Sequence, residues 1–465
     1  MSATQPRQSF FEAPQGRSYA VSFFLVSSLF LLWGLCNGMI DVMDKHFQDY
    51  LHLSKAQSAW VQTAHYLGYG LMALPAGLLA RTFGYKGGII SGLLLVSVGG
   101  IWFVAATHIS AFWAFLLGVC VIAMGLTVLE TVANPYTTVL GPKQYAAFRI
   151  NFAQSFNGVG WMLGPIVGGV FFYSVGGVEA AQHRLFIPYL VVAIVVLVMA
   201  TIFYFASVPD VAASDEYRLD EASSESASRG IWAHPHFYGG VLAQFLYVAA
   251  QAGIFSFFIN YMVSEAPHIS RALGESWVLH NGVESRNGLQ FVNEQGAARL
   301  QGLLGFGLFF LGRITGSALL GRLAPHRMLG TYSLANVLCC VLVVAKLGWI
   351  SVLAVFLSFF FMSISFPTIF ALTIHGLGSQ AKKASAFVVM AILGGAVLPK
   401  LMGHVGDVYD MSIAFTVPLV CFAVIAIYGY TWPALSSDQT AESLERTQPR
   451  LTRPRGAHRV IEPSE

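Results

Sequence analysis

Charge is what this chain has least of. Only 11% of its 465 residues are Asp, Glu, Lys or Arg, whereas a soluble protein carries about a quarter. A water-soluble globule is excluded on that count. The net charge is +3, and no basic stripe with interleaved aromatics is present, so no nucleic-acid partner is expected. Cysteine is scarce too. Cys36, Cys120, Cys339, Cys340 and Cys421 lie in or near apolar runs without metal-ligand spacing. They are expected to be small packing residues, not a disulfide framework or a zinc site. The apolar runs hold no H-E-x-x-H and no comparable nucleophile–base spacing, and His234 and His236 sit in a polar stretch. An intramembrane enzyme is therefore not expected. Nor is a channel, since no filter-like loop or ring-forming repeat occurs. No small-residue cleavage site follows the first apolar run, which is read as a span and not as a signal peptide.

What is abundant is apolar length. Hydrophobic residues make up 55% of the chain and the mean hydropathy is +0.63. Runs of about 20 residues cross a hydrocarbon core of roughly 30 Å. They are expected near 20–43, 58–80, 88–107, 111–140, 149–174 and 185–207, then near 238–263, 299–321, 328–346, 350–375, 385–404 and 412–432. The 46 glycines suit helices that approach closely in lipid. A Ser-, Ala- and acid-rich stretch separates the two sets and has the composition of a linker. The expected fold is all-α: a polytopic membrane protein of twelve helices in two six-helix bundles. Its expected parts are a segment 1–19, a first bundle 20–207, a linker 208–237, a second bundle 238–432 and a tail 433–465.

Short loops set the expected orientation. "RTFGYK" (81–86), "GPKQYAAFR" (141–149), "GRLAPHR" (321–327) and "SQAKK" (379–383) each hold at least two basic residues and fall on one side. The linker and both termini share that side, and the positive-inside tendency makes it cytoplasmic. Lys45, Lys55, Arg184 and Lys346 lie opposite. The halves also echo each other: "LARTFGYK" (79–86) follows the second span and "LGRLAPHR" (320–327) the eighth. Gly160 precedes Pro165 by five residues, as Gly394 precedes Pro399. Such duplication points to a carrier with a site near the midplane between its halves.

Polar residues inside the spans mark that site. "LTVLETVANPY" (126–136) places Glu130 well within the fourth run, where a charged acid costs about 2.5–3.5 kcal/mol on insertion scales. Such a group faces a wet cavity, takes a partner or holds its proton. Asn134 lies one turn on, on the same face, and Pro135 removes a backbone hydrogen bond. Interhelix packing is the alternative for Glu130. In the first run Trp33, Asn37 and Asp41 form one stripe at i, i+4, i+8, continued by Asp44. By spacing alone, Asp41 could equally mark the end of the helix. In the seventh, Gln244, Tyr247, Gln251, Phe255, Phe258 and Met262 share a face. Amides for hydroxyls and rings for C–H faces would suit a sugar; packing on a neighbouring helix is the alternative. The fifth contributes Asn151, Gln154 and Asn157, with Gln154 the preferred ligand. Gln62 and His65 are weaker candidates, and Lys400 is expected to snorkel to the outer surface.

The stretches "NGMID", "LETVANPYTTVLGP", "FRINFAQSFNGVG", "AQFLYVAAQ", "FPTIFALTIHGLG" and "SAFVVMAILGGAV" resemble, in order, those of the fucose–proton symporter family of the major facilitator superfamily. The resemblance spans about residues 22–432. It implies an alternating-access carrier importing a monosaccharide with protons. In such a carrier Asp41 would be the protonation-linked acid, and Glu130 would couple sugar recognition to the proton. The amide faces of the fifth and seventh spans would contact sugar hydroxyls. Ile40 and Ser365 depart from the fucose pattern, and the 264–298 stretch is longer. Sister branches take glucose, galactose or N-acetylglucosamine.

The expectation is thus a proton-coupled symporter of L-fucose or a related hexose in a bacterial-type inner membrane, without cofactor, metal or obligate protein partner. Asp41 and Glu130 are its expected proton-coupling residues. Asn37, Asn134, Gln154, Asn157, Gln244, Tyr247, Gln251 and Phe255 are its expected sugar contacts. "GWMLGPIVGG" (160–169) matches a glycine–proline motif of antiporters, so a proton-driven drug or metabolite antiporter is the alternative.

Overall fold

The computed structural model describes residue 11 and residues 18–142, 145–173, 186–206, 231–279, 281–320, 322–377 and 381–436. The first bundle begins with α1 (Ala20–Leu51). A helical ribbon, Trp60–Ile109, is broken at Gly84 (φ 66°, ψ −175°) into α2 (60–83) and α3 (85–109). Only glycine enters that conformation without strain, so a single residue replaces the loop expected around "RTFGYK". Then come α4 (Phe112–Val139), α5 (Ala146–Tyr173) and α6 (Ile187–Phe205). The second bundle holds α7 (Pro235–Ser256), α8 (Glu294–Leu320), α9 (Pro325–Val344), α10 (Trp349–Ile374), α11 (Phe387–Val408) and α12 (Met411–Leu435). Eleven of these segments are long and apolar enough to cross a membrane; α2 is the twelfth, its hydropathy diluted by Gln62, His65 and Arg81. Twelve crossings put Ala20 and Leu435 on one face, here called the terminal face.

Most of the expected linker and tail lies outside the described residues. At their edges α7 starts earlier than expected, with Pro235 at its first turn, where a missing N–H costs nothing. The opposite face carries a small insertion after α7. Its strands β1 (Val283–Arg286) and β2 (Leu289–Val292) pair antiparallel. Asn287 and Gly288 close the hairpin at φ 53° and 79°, the conformation that two-residue hairpin turns require. This is the hairpin face. Asn293 caps α8 by accepting from the Gly296 N–H at 2.9 Å.

Within the first bundle, α1 and α5 touch backbone to backbone. A methyl at Gly34 would be driven into the carbonyl oxygen of Asn157. One at Gly38 would lie 2.9 Å from that of Trp161, and one at Gly164 2.6 Å from the Gly38 Cα. The glycines of "GWMLGPIVGG" thus have a packing role, which small residues serve in membrane helices. Gly34→Val is expected to lower the melting temperature of the detergent-purified protein by an overpacking cost of about 1–3 kcal/mol. Gly77→Ala, where a methyl meets nothing within 4 Å, is expected to leave it unchanged. Equal melting temperatures for both would remove this contact from the account.

Between bundles, the described hydrogen bonds all join the halves nearer the hairpin face. Asp407 at the end of α11 accepts from the backbone N–H groups of Lys55 and Ala56, both at 2.9 Å. Lys55 Nζ donates to the Gly406 carbonyl (3.0 Å) and Thr63 Oγ1 to that of Ala396 (2.7 Å). Gln48 and Asn260 exchange amide bonds at 2.5 and 3.4 Å. The two bundles are therefore closed together on the hairpin face. Asp407→Ala strips both N–H groups of their acceptor and is expected to raise, severalfold, the labelling rate of a cysteine at Thr63 by a membrane-impermeant maleimide. An unchanged rate would show that this acceptor does not hold the seal.

Candidate functional site

The α1 stripe meets α2 and the turn just before it through a series of polar rungs. Trp33 Nε1 donates to the Tyr69 hydroxyl at 2.7 Å. Gln62 Nε2 donates to Asp41 Oδ1 and to Asp44 Oδ2, each at 3.1 Å, and Gln48 Nε2 donates to Ser58 Oγ at 2.8 Å. Asp44 also accepts from the Ser256 hydroxyl of α7. Because α1 continues to Leu51, Asp41 lies about 15 Å before its end at 1.5 Å per residue. The reading of Asp41 as an end marker therefore falls. Asp41 and Asp44 are both buried, with Asp41 Oδ2 and Asp44 Oδ1 unpartnered.

Glu130 stands elsewhere. It is about 27 Å along α4 from Phe112, so it lies closer to the terminal face than Asp41 does. It is only partly buried and makes no hydrogen bond or ion pair to any described residue. One turn on, Asn134 Oδ1 accepts from Gln154 Nε2 of α5 at 2.9 Å, and both side chains keep partial exposure. Tyr69 lies within electrostatic reach of Glu130, and Tyr66, one turn away on α2, within reach of Asp41 and Asp44. Face by face, α2 thus spans the distance between the two acid sites. A carboxylate acceptor beside an amide pair with free donors and acceptors can bind vicinal hydroxyls.

The other candidates divide. Asn37 is buried with Oδ1 unpartnered. Asn157 Nδ2 donates to the Phe30 carbonyl at 3.3 Å, a bond that fastens α5 to α1. On α7, Gln244 is wholly buried with neither amide atom bonded, and the Tyr247 hydroxyl donates to the Met362 carbonyl at 2.9 Å. Phe255 stacks on Phe359 at 4.7 Å and contacts Phe306 and Trp161 at 4.9 and 5.9 Å, so in this state it belongs to an aromatic seal between bundles. Gln251 alone on that face keeps partial exposure. Lys400 keeps partial exposure, and its Nζ sits 3.7 Å from the centre of the Trp60 ring at the hairpin-face end of α2.

Two relevant groups escaped the sequence, and a third was rated too low. Gln62, ranked low beside His65, is the bridge between two carboxylates. Ser256 supplies the link across the bundles. Arg313 of α8 is a membrane-embedded cation without a carboxylate partner among the described residues. It lies over Phe309 at 5.1 Å, with Nε 3.4 Å from the Ser363 carbonyl. The charge inside "FFLGRITG" was the available signal.

A profile described as Major Facilitator Superfamily matches residues 19–399. The L-fucose–proton symporter of Escherichia coli K12 is 34% identical over 438 residues, covering 90% of this chain and 94% of that one. The chain belongs to the major facilitator superfamily, in the fucose–proton symporter family. A glucose/galactose transporter of Brucella abortus is 30% identical, covering 90% and 95%. A crystal structure of the E. coli fucose–proton symporter superposes with a TM-score of 0.61 at 33% identity, covering 90% of this chain and 99% of that one. This major facilitator protein is accordingly a sugar transporter and not an enzyme.

Proposed function

We propose that the chain is a proton-coupled symporter that imports L-fucose or a related hexose by alternating access. It would do so across a bacterial-type inner membrane, with 1–19, the linker 208–237 and the tail 433–465 on the cytoplasmic side. The observation that carries this is the unpartnered Glu130 carboxyl beside the Asn134–Gln154 amide pair, an acid and two amides left able to bind hydroxyls. In this reading Asp41 binds the driving proton, and Glu130 ties sugar recognition to it. Asn37, Asn134 and Gln154 contact the sugar from the first bundle, with Asn157 behind them holding α5 in place. Gln251 faces them from α7, with Gln244, Tyr247 and Phe255 on the same helix face. The names of two relatives, a fucose–proton symporter and a glucose/galactose transporter, support both the sugar class and the coupling ion.

The test is a pH electrode in a lightly buffered suspension of cells expressing the protein, challenged in turn with L-fucose, D-glucose, D-galactose and N-acetylglucosamine. One of these is expected to alkalinise the medium. No alkalinisation with any of them, together with drug resistance that depends on export, would favour antiport instead.

A further inference from the structure

We infer that Asp44 and Asp41, bridged by the Gln62 amide, hold one proton between them, and that the bond of Asp44 to Ser256 makes that proton a condition for sealing the hairpin face. The inference rests on the proton-symport reading and adds to it a second acid and a latch. Both carboxylates are almost wholly withdrawn from solvent, at 4% and 0% exposure, and no cation among the described residues pairs with either. Two like charges so close and so dry cannot both be ionised cheaply, so such a pair retains a proton and titrates as a unit. Each carboxyl also keeps one buried, unbonded oxygen. A proton on either would remove one of the two buried negative charges, the larger cost of such burial.

Gln62 Nε2 meets both carboxylates, which places an N–H donor between two acceptors. The remaining groups around Asp44 supply no positive charge. Tyr66 approaches from α2, Tyr173 from α5 and Tyr189 from α6. Lys45 is engaged by Asp49 at 2.5 Å, with Glu294 at 3.9 Å. His65 packs on Tyr66 and Tyr69, and His46 on Phe172.

Ser256 carries the consequence across the molecule, because it belongs to the second bundle and Asp44 to the first. With the hairpin face open, water solvates both carboxylates and the pair can hold a charge of −2. One proton from that side converts one carboxylate to a carboxylic acid and leaves the pair at −1. Only then does α7 close over it at low cost.

The experiment measures closure without sugar. The five cysteines are replaced by serine, nitroxides are attached at His52→Cys and at Tyr409→Cys, both exposed on the hairpin face, and distances are read by pulsed electron resonance in sodium-free lipid nanodiscs. The fraction at the short, sealed distance is expected to rise at least fivefold from pH 8.5 to pH 5.5 in the parent. In Asp44→Asn it should change less than twofold, and in Asp44→Glu it should follow the parent. Ser256→Ala is expected to lower the sealed fraction at pH 5.5 at least threefold, which keeps the test open if Asp44→Asn fails to fold. A parent-like pH response in Asp44→Asn, an unchanged sealed fraction in Ser256→Ala, or sealing driven by added sodium at fixed pH would overturn the inference. Failure of symport itself would show separately, as sugar uptake by the parent without proton movement.

Discussion

Asp41→Asn is expected to abolish uphill sugar accumulation while sparing sugar exchange. Asparagine keeps the shape of the side chain and an acceptor for Gln62, but cannot take up and release a proton. One proton moving down about 100 mV supplies about 2.3 kcal/mol, enough for a sugar gradient of roughly fiftyfold at 1.4 kcal/mol per tenfold. Without that proton the inside-to-outside ratio should fall to about one. Exchange of internal for external sugar needs only reorientation of the sugar-loaded protein, which a permanently neutral side chain permits, and it should persist. Uptake of radiolabelled sugar in energised cells, paired with counterflow in vesicles, separates the two. Retained accumulation would remove Asp41 from the proton pathway.

Glu130→Ala should act on binding. A hydrogen bond to a charged group contributes about 1.5–3 kcal/mol, so losing the carboxyl should weaken sugar affinity roughly 10- to 150-fold by calorimetric titration. Asn134→Ala removes a neutral partner worth about 1 kcal/mol and frees the Gln154 amide, so its effect should be roughly fivefold. If Glu130→Ala bound sugar as tightly as the parent, the acid would be a packing element of α4, the reading its spacing left open. Comparing Glu130→Gln with Glu130→Ala then separates the proton from the hydrogen bond. Glutamine keeps an acceptor and should retain more affinity than alanine while still failing to couple.

How much of this was legible in advance follows from what each pattern encodes. Helix number and order follow from apolar length, because lipid forces every backbone group into a helix, and those expectations match the fold. The stripe Trp33–Asn37–Asp41 was readable because helical spacing sets which side chains share a face. Its partners on α2 were not, since nothing local says that Gln62 meets both Asp41 and Asp44 while His65 turns to Tyr66 and Tyr69. The end of α1 was misjudged for a related reason. Asp44, Lys45, His46 and Gln48 resemble a solvated terminus, yet Lys45 is paired with Asp49 and the Gln48 amide is hydrogen-bonded by Ser58 and Asn260, so the helix continues under cover. The α7 face shows the limit on the functional side. Its periodicity is real, but whether Phe255 meets a sugar or Phe359 depends on α8 and α10, and on the state of the carrier. The hairpin was readable and missed: "SRNGLQ" holds the Asn–Gly pair that two-residue turns favour.

The central claim is that a proton gradient drives a hexose through this molecule, and purified protein in sealed liposomes tests it most directly. With an imposed inward proton gradient and no sodium, the sugar that alkalinises cell suspensions should accumulate well above its outside concentration. It should drain back to equality when a protonophore is added. Uptake that stops at equality and ignores both gradient and protonophore would contradict the account.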